Sequence, residues 1–103
     1  MRRKILVREA ARSDLAEHAA IIAREDPVAA ERFLQAAEQT FESLARMPHL
    51  GRRRGFSNPL LKGIRSWRIR GFPKILIFYK TVDAGIEVIR VLHGARDVEL
   101  LFS

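Results

Sequence analysis

The sequence predicts an α+β fold in which an N-terminal strand and an α-helical hairpin pack on a small antiparallel β-sheet, with a short C-terminal helical turn or tail. Three observations predict it. Apolar residues recur at helical spacing between residues 11 and 45, β-prone runs separated by tight turns follow between 64 and 93, and the two kinds of segment do not interleave. At 103 residues the chain is expected to form a single domain, residues 1 to 103, around one modest core.

The elements follow in order. Lys4-Ile5-Leu6-Val7-Arg8 is a short β-prone run with charges at both ends and is read as a first strand, expected at an edge of the sheet. Ala11, Leu15, His18, Ala19 and Ile22 then fall on one helical face, with Arg12, Glu17 and Arg24 opposite. At Glu25-Asp26-Pro27 this helix ends and the next begins: Asp26 can accept from free backbone amides, and Pro27 suits a first helical turn. So short a connection forces an antiparallel hairpin. Along the second helix Ala30, Phe33, Leu34, Ala37, Phe41, Leu44 and Ala45 keep one face apolar, and Met47-Pro48-His49-Leu50-Gly51 stops it. Residues 52 to 62, with Gly55, Asn58 and Pro59, are read as an exposed, mobile loop.

Three strands are expected next. Residues 64 to 70 alternate, with Arg65, Trp67 and Ile69 on one face. Gly71-Phe72-Pro73 marks a turn, and Ile75-Leu76-Ile77-Phe78-Tyr79 marks a central strand. Asp83-Ala84-Gly85 turns the chain into residues 86 to 93, whose alternation places Arg90 on the face of Ile86, Val88 and Leu92. An arginine among apolar positions needs a partner or a place at the sheet margin. Asp83, Glu87 or a helix carboxylate could supply that partner. Beyond Gly94, residues 97 to 102 are read as the final helical turn or tail.

Composition narrows function. The chain has no cysteine, which excludes a disulfide framework, a thiolate nucleophile and a Cys-based zinc site. No run approaches the length of a membrane span. Met1-Arg2-Arg3-Lys4 is basic like the start of a secretion signal, but the apolar stretch behind it ends at Val7, so the cytoplasm is the expected compartment. The net charge of +7 is unevenly placed: basic and acidic residues cancel over residues 1 to 51, and the whole excess lies after Gly51. Residues 52 to 80 carry nine Lys or Arg and no Asp or Glu, which suggests a face that meets phosphate or an acidic protein.

Chemistry is sparse. His18, His49 and His93 lie in different elements without ligand spacing, so no metal is expected. No glycine-rich phosphate cradle, nucleophile elbow or carboxylate pair occurs in the basic half, and no cofactor is expected. What remains is an arginine-rich sheet with Trp67, Tyr79 and His93 near it.

These segments carry a resemblance. The helical hairpin, Pro48-His49-Leu50-Gly51-Arg52, Ile64-Arg65-Ser66-Trp67, Ile77-Phe78-Tyr79 and Val88-Ile89-Arg90-Val91-Leu92-His93-Gly94-Ala95-Arg96-Asp97 resemble the ParE branch of the RelE/ParE family of type II toxins over almost the whole chain. The resemblance implies a toxin that inhibits DNA gyrase, and so replication, without catalysis of its own, neutralised by a ParD-like antitoxin with an acidic C-terminal segment. Two alternatives stand beside it: a RelE-like ribosome-dependent mRNA endoribonuclease, and a non-toxic basic binding module or decayed toxin. For the nuclease, Arg65, Arg68, His93 and Arg96 are the candidate catalytic residues, although Glu99 stands where such relatives carry a tyrosine. For target binding the candidates are Arg65, Arg68, Arg70, Lys74, Arg90, His93 and Arg96. Leu15, Ile22, Phe33, Phe41, Trp67, Tyr79 and Arg90 are the residues expected to meet the antitoxin.

Overall fold

The computed structural model describes residues 3–94 and Val98. Strand β1 (Lys4–Val7) leads into helices α1 (Glu9–Ala23) and α2 (Pro27–Arg46), and four further strands follow: β2 (Arg52–Arg53), β3 (Arg65–Ile69), β4 (Phe72–Val82) and β5 (Gly85–His93). The sheet order is β1-β5-β4-β3-β2. The expected meander of three antiparallel strands is present, and β1 joins its β5 edge as expected. It does so in parallel, so the sheet is mixed, not purely antiparallel.

The helical hairpin forms where its punctuation lies. Asp26 accepts from the amides of Val28 and Ala29, both at 3.1 Å, and Pro27 occupies the first turn of α2. Phe33, Ala37, Phe41 and Leu44 of α2 bury against Ile69, Ile77, Tyr79, Val88 and Val91 on one face of the sheet. Each of the phenylalanine, leucine, isoleucine and valine side chains so removed from water contributes on the order of 1.5–3 kcal/mol. Phe33 also meets the edge of Phe72, with ring centroids 5.2 Å apart. Leu34 departs from its expected place in the stripe and stays 43% exposed, while Thr40 is buried and satisfies its hydroxyl on the carbonyl of Ala36.

Residues 52 to 62 are not simply an exposed loop. Arg52 and Arg53 pair with Ser66 and Arg65, adding a fifth strand, and a 3₁₀ turn over Pro59–Leu61 is capped by the Asn58 side chain accepting from the Leu60 amide at 2.9 Å. Phe56 and Leu61 cover the sheet face that the helices leave open, above Ile64, Phe78, Ile89 and Leu92, with Val98 in the same cluster. The rest of the expected C-terminal turn or tail lies outside the described residues.

Two features fix the register of β5. Opposite Lys4 the backbones approach so closely that a Cβ on Gly85 would overlap the Lys4 carbonyl. Between Phe78 and Tyr79 the β4–β5 ladder skips a residue, pairing Phe78 with Arg90 and Tyr79 with Val88. This bulge reverses the phase of the strand. Ile86, Val88 and Val91 pack toward the helices and Ile89 and Leu92 toward the other face, so Leu92 does not share the face of Ile86 and Val88 as strict alternation requires.

The turn between β4 and β5 holds Ala84 at φ 65°, a left-handed conformation that costs an L-residue about 1–2 kcal/mol. Ala84→Gly removes that strain and returns part of the gain as unfolded-state entropy. A net stabilisation of roughly 0.5–1 kcal/mol is expected, read as a higher midpoint in thermal or urea unfolding.

Candidate partner interface

Among the described residues no strand neighbours the outer edge of β5 past the end of β1, and α1 supplies side chains instead. The Arg8 amide makes the last backbone bond, to the Val88 carbonyl. Beyond it, Asp14 accepts from the Val91 amide at 2.9 Å, and His18, one turn further along α1, donates Nε2–H to the Val91 carbonyl at 2.9 Å. Together they occupy both backbone groups of Val91 as a strand would. Asp14 also takes the Arg90 guanidinium in a two-point pair, with Nε at 2.7 Å and Nη2 at 2.8 Å. The bond to Asp14 holds the Arg90 pKa above its ordinary value. Arg90 therefore has its partner in a helix carboxylate, and its charge is spent within the fold. Asp14, the residue that makes this work, carries no signal of its own in the sequence; Arg90 on an apolar strand is the only hint.

A second polar knot ties the chain after α2 to the sheet. The Tyr79 hydroxyl donates to the Pro48 carbonyl and accepts from the Gly51 amide, both at 2.8 Å, with the ring fully buried. Arg65 donates to the Gly51 carbonyl at 2.8 Å and to Nδ1 of His49 at 3.2 Å. The Tyr79 proton is thus committed to a backbone carbonyl, and it is unavailable as a general acid without breaking the knot.

Burial raises the Tyr79 pKa above its usual 10.0, against smaller lowering by the Gly51 amide and Arg65. The folded state therefore keeps a proton that the unfolded chain gives up. This contribution to stability is complete below pH 10.0 and is lost as pH climbs toward the folded pKa, at up to about 1.4 kcal/mol per pH unit. Because Tyr79 is the only tyrosine, its ionisation can be followed by absorbance alone. A midpoint above 10.0 in the folded protein, returning to the ordinary value in denaturant, is the expected result.

The other expected target-binding residues do not form one cluster. Arg68, Arg70 and Lys74 are exposed and His93 is half-buried. Strand pairing brings them to one end of the sheet, since Arg68 stands opposite Leu76, His93 opposite Ile75, and the Gly94 amide bonds the Lys74 carbonyl at 2.7 Å. Arg65 sits toward the other end, beside Tyr79. Of the candidate catalytic set, Arg68 and His93 share an end of the sheet, Arg65 does not join them, and Arg96 lies outside the described residues. Among the described residues no group of three or more His, Cys, Asp or Glu could hold a metal ion.

The residues expected to meet an antitoxin are likewise dispersed. Phe33 and Tyr79 are fully buried and Phe41 is only 6% exposed, so they build the core and present almost no surface to a partner. The apolar stripe that suggested a docking face is the one that packs the helices on the sheet. Leu15 and Ile22 are half-buried and pack against the same core. Several grooves are open, and two of them border these residues. One, of about 450 Å³, runs between β1, α1 and α2 over Ile5, Val7, Leu15 and Phe41, with Arg12, Glu38 and Glu42 also lining it. The other, of about 310 Å³, lies between α2 and β3 and includes Met47, Leu50, Trp67, Arg68 and Arg70.

Comparison with known proteins bears on this arrangement. A family model described as ParE toxin of type II toxin-antitoxin system, parDE, matches residues 5–98. A solved structure titled "Chromosomal ParDE TA system from P. aeruginosa" superposes with a TM-score of 0.70 at 15% identity, over 88% of this chain and 95% of that one. At this identity the likeness is one of fold. No curated protein matches the chain by sequence.

Proposed function

Since the chain belongs to the ParE toxin family of type II toxin–antitoxin systems, we propose that it inhibits DNA gyrase, and so DNA replication, by binding, and that a ParD-like antitoxin neutralises it. The observation that carries the binding reading is how the polar groups on the sheet are employed. The Tyr79 hydroxyl and Arg65 hold the loop after α2, and Arg90 is paired with Asp14. A nuclease needs an acid and a base with reach to the scissile phosphate and suitable pKa values. Arg68, Arg70 and Lys74 offer exposed positive charge suited to recognition, and a guanidinium carries only donors and has no lone pair with which to take a proton. On this reading the protein works in the cytoplasm beside its target. Among the described residues no helix is long and apolar enough to cross a membrane.

The test is a supercoiling assay with purified gyrase and relaxed plasmid. Loss of supercoiled product and accumulation of cleaved DNA as the protein is added are expected, with relief on adding a ParD-like antitoxin. Uninhibited gyrase, together with codon-register cuts in translated mRNA by primer extension, would overturn the reading in favour of a ribosome-dependent endoribonuclease.

A further inference from the structure

The chain between β2 and β3 holds up one leucine that the fold does not use. Leu60 is 79% exposed, more than any other large apolar side chain among the described residues. Its backbone is fixed on both sides: the Asn58 side chain accepts from its amide at 2.9 Å, and Nζ of Lys80 donates to its carbonyl at 3.4 Å. The 3₁₀ turn is tied down in its turn, since Phe56 and Leu61 pack into the sheet-face cluster and the Arg54 amide bonds the Ile64 carbonyl at 2.9 Å. Cations flank this tip. Arg52 and Arg53 lead into the loop and Lys62 leads out of it, all exposed, while Lys80 lies against the turn and spends one of its three donors there. Residues 52 to 80 contain no Asp or Glu, and Glu87, opposite Lys80 in the β4–β5 ladder, is already held by Arg8 at 2.9 Å. Among the described residues neither Lys62 nor Lys80 forms an ion pair.

A rigid aliphatic tip between cations is the form of a side chain that wedges into a base step while its neighbours hold the phosphates on either side. We propose that the loop of residues 52 to 62 binds duplex DNA, with Leu60 entering a base step and Arg52, Arg53, Lys62 and Lys80 meeting the backbone. This goes beyond gyrase inhibition and does not depend on it. A protein surface fits less well, because such surfaces carry both signs of charge. The loop offers cations alone, which suits the uniform negative charge of a phosphodiester backbone. A single strand also fits less well, since it needs an open aromatic face for stacking. The one aromatic ring of the loop, Phe56, has the Arg54 guanidinium over it, 5.8 Å from its centre.

Titration of the full chain into a short DNA duplex tests the proposal. The duplex carries an end label for anisotropy and 2-aminopurine as the adenine of a central TA step, where unstacking costs least and is read as a rise in emission. The wild type is expected to raise that emission and to bind with a log-log salt slope of about −0.9 per phosphate contacted. Leu60→Ala should weaken binding about fivefold, abolish the rise and leave the salt slope unchanged. Leu60→Met keeps an apolar tip of similar reach and should keep the rise. Lys62→Ala should also keep the rise, while reducing the magnitude of the slope by about 0.9. Leu60 and Lys62 are exposed, and a thermal melt shows whether each variant is folded. The proposal is overturned if the wild type leaves the duplex unbound, or binds it with the emission unchanged. It is equally overturned if the folded Leu60→Ala variant raises the emission as the wild type does, or if a single strand or polyglutamate is bound as tightly as the duplex. The assay contains no gyrase, so the two readings fail separately. Leu60-dependent duplex binding without loss of supercoiling removes the gyrase reading alone, and inhibition of gyrase without duplex binding removes the wedge alone.

Discussion

Asp14→Ala is expected to destabilise the protein by about 3 kcal/mol, the largest effect of any single side-chain truncation outside the apolar core. The change strands two groups at once. Arg90 loses both bonds to its carboxylate, and the Val91 amide loses its acceptor at a strand edge that β1 does not reach. Removing one partner of a buried ion pair costs on the order of 3–5 kcal/mol, and an unsatisfied buried amide adds roughly 1–3 kcal/mol. Arg90 keeps 24% of its side chain exposed, so water recovers part of this, and the estimate sits at the low end. In a domain of this size the melting temperature should fall by roughly 10–20 °C. Asp14→Asn discriminates between the two causes. Its amide oxygen still accepts from Val91 while the charge is gone, so a loss of about half is expected. If Asp14→Asn proves as damaging as Asp14→Ala, the ion pair alone matters and the strand-like role of α1 is refuted.

Gly51→Ala is expected to cost roughly 2–4 kcal/mol, although it adds a single methyl group. A Cβ at this position would overlap the Tyr79 hydroxyl and stand 2.7 Å from its ring. Neither side can give way cheaply, because the ring is fully buried and the hydroxyl is held by Pro48 and Gly51 itself. Relief requires moving the chain after α2 off the sheet, which also releases the Arg65 bonds to Gly51 and His49. The tyrosine titration reports this without reference to stability: exposure of the hydroxyl should bring its midpoint back toward 10.0. A variant with wild-type stability and an unchanged titration would show that the loop is not held in this way.

How far the fold was legible depends on the range of the interaction that decides each element. The junction between the helices could be read because Asp26 and Pro27 act on amides two and three residues away. The central strand could be read because five consecutive apolar side chains admit few other arrangements. Strand β2 could not: it is two arginines whose pairing depends on β3, and neither residue favours a strand by composition. The bulge at Ile89 and Arg90 could not be read either, since one extra residue in a ladder leaves no mark on the strand that carries it. The interface was the least legible part. Apolar periodicity reports what is buried without saying against what, so Phe33 and Phe41, expected at an antitoxin surface, turned out to face the sheet. In the same way charge counting located the basic half of the chain, yet it could not separate Arg65 and Arg90, spent on internal bonds, from Arg68 and Arg70, which remain exposed.

The parallel pairing of β1 with β5 has a consequence for the order of assembly. The α1–α2 hairpin and the β3–β4–β5 meander close short loops and can form as soon as each is synthesised. The seam between Lys4 and Gly85 and the clasp from Asp14 to Arg90, 76 residues apart, must wait until β5 has left the ribosome. Contacts of such high sequence separation slow folding and delay completion of the core. A chain interrupted before residue 85 has both helices but lacks the strand that β1 and Asp14 bind. In terms of kinetics, the basic face is presented on a finished scaffold only once β5 has been synthesised, and a copy truncated before β5 remains unfinished.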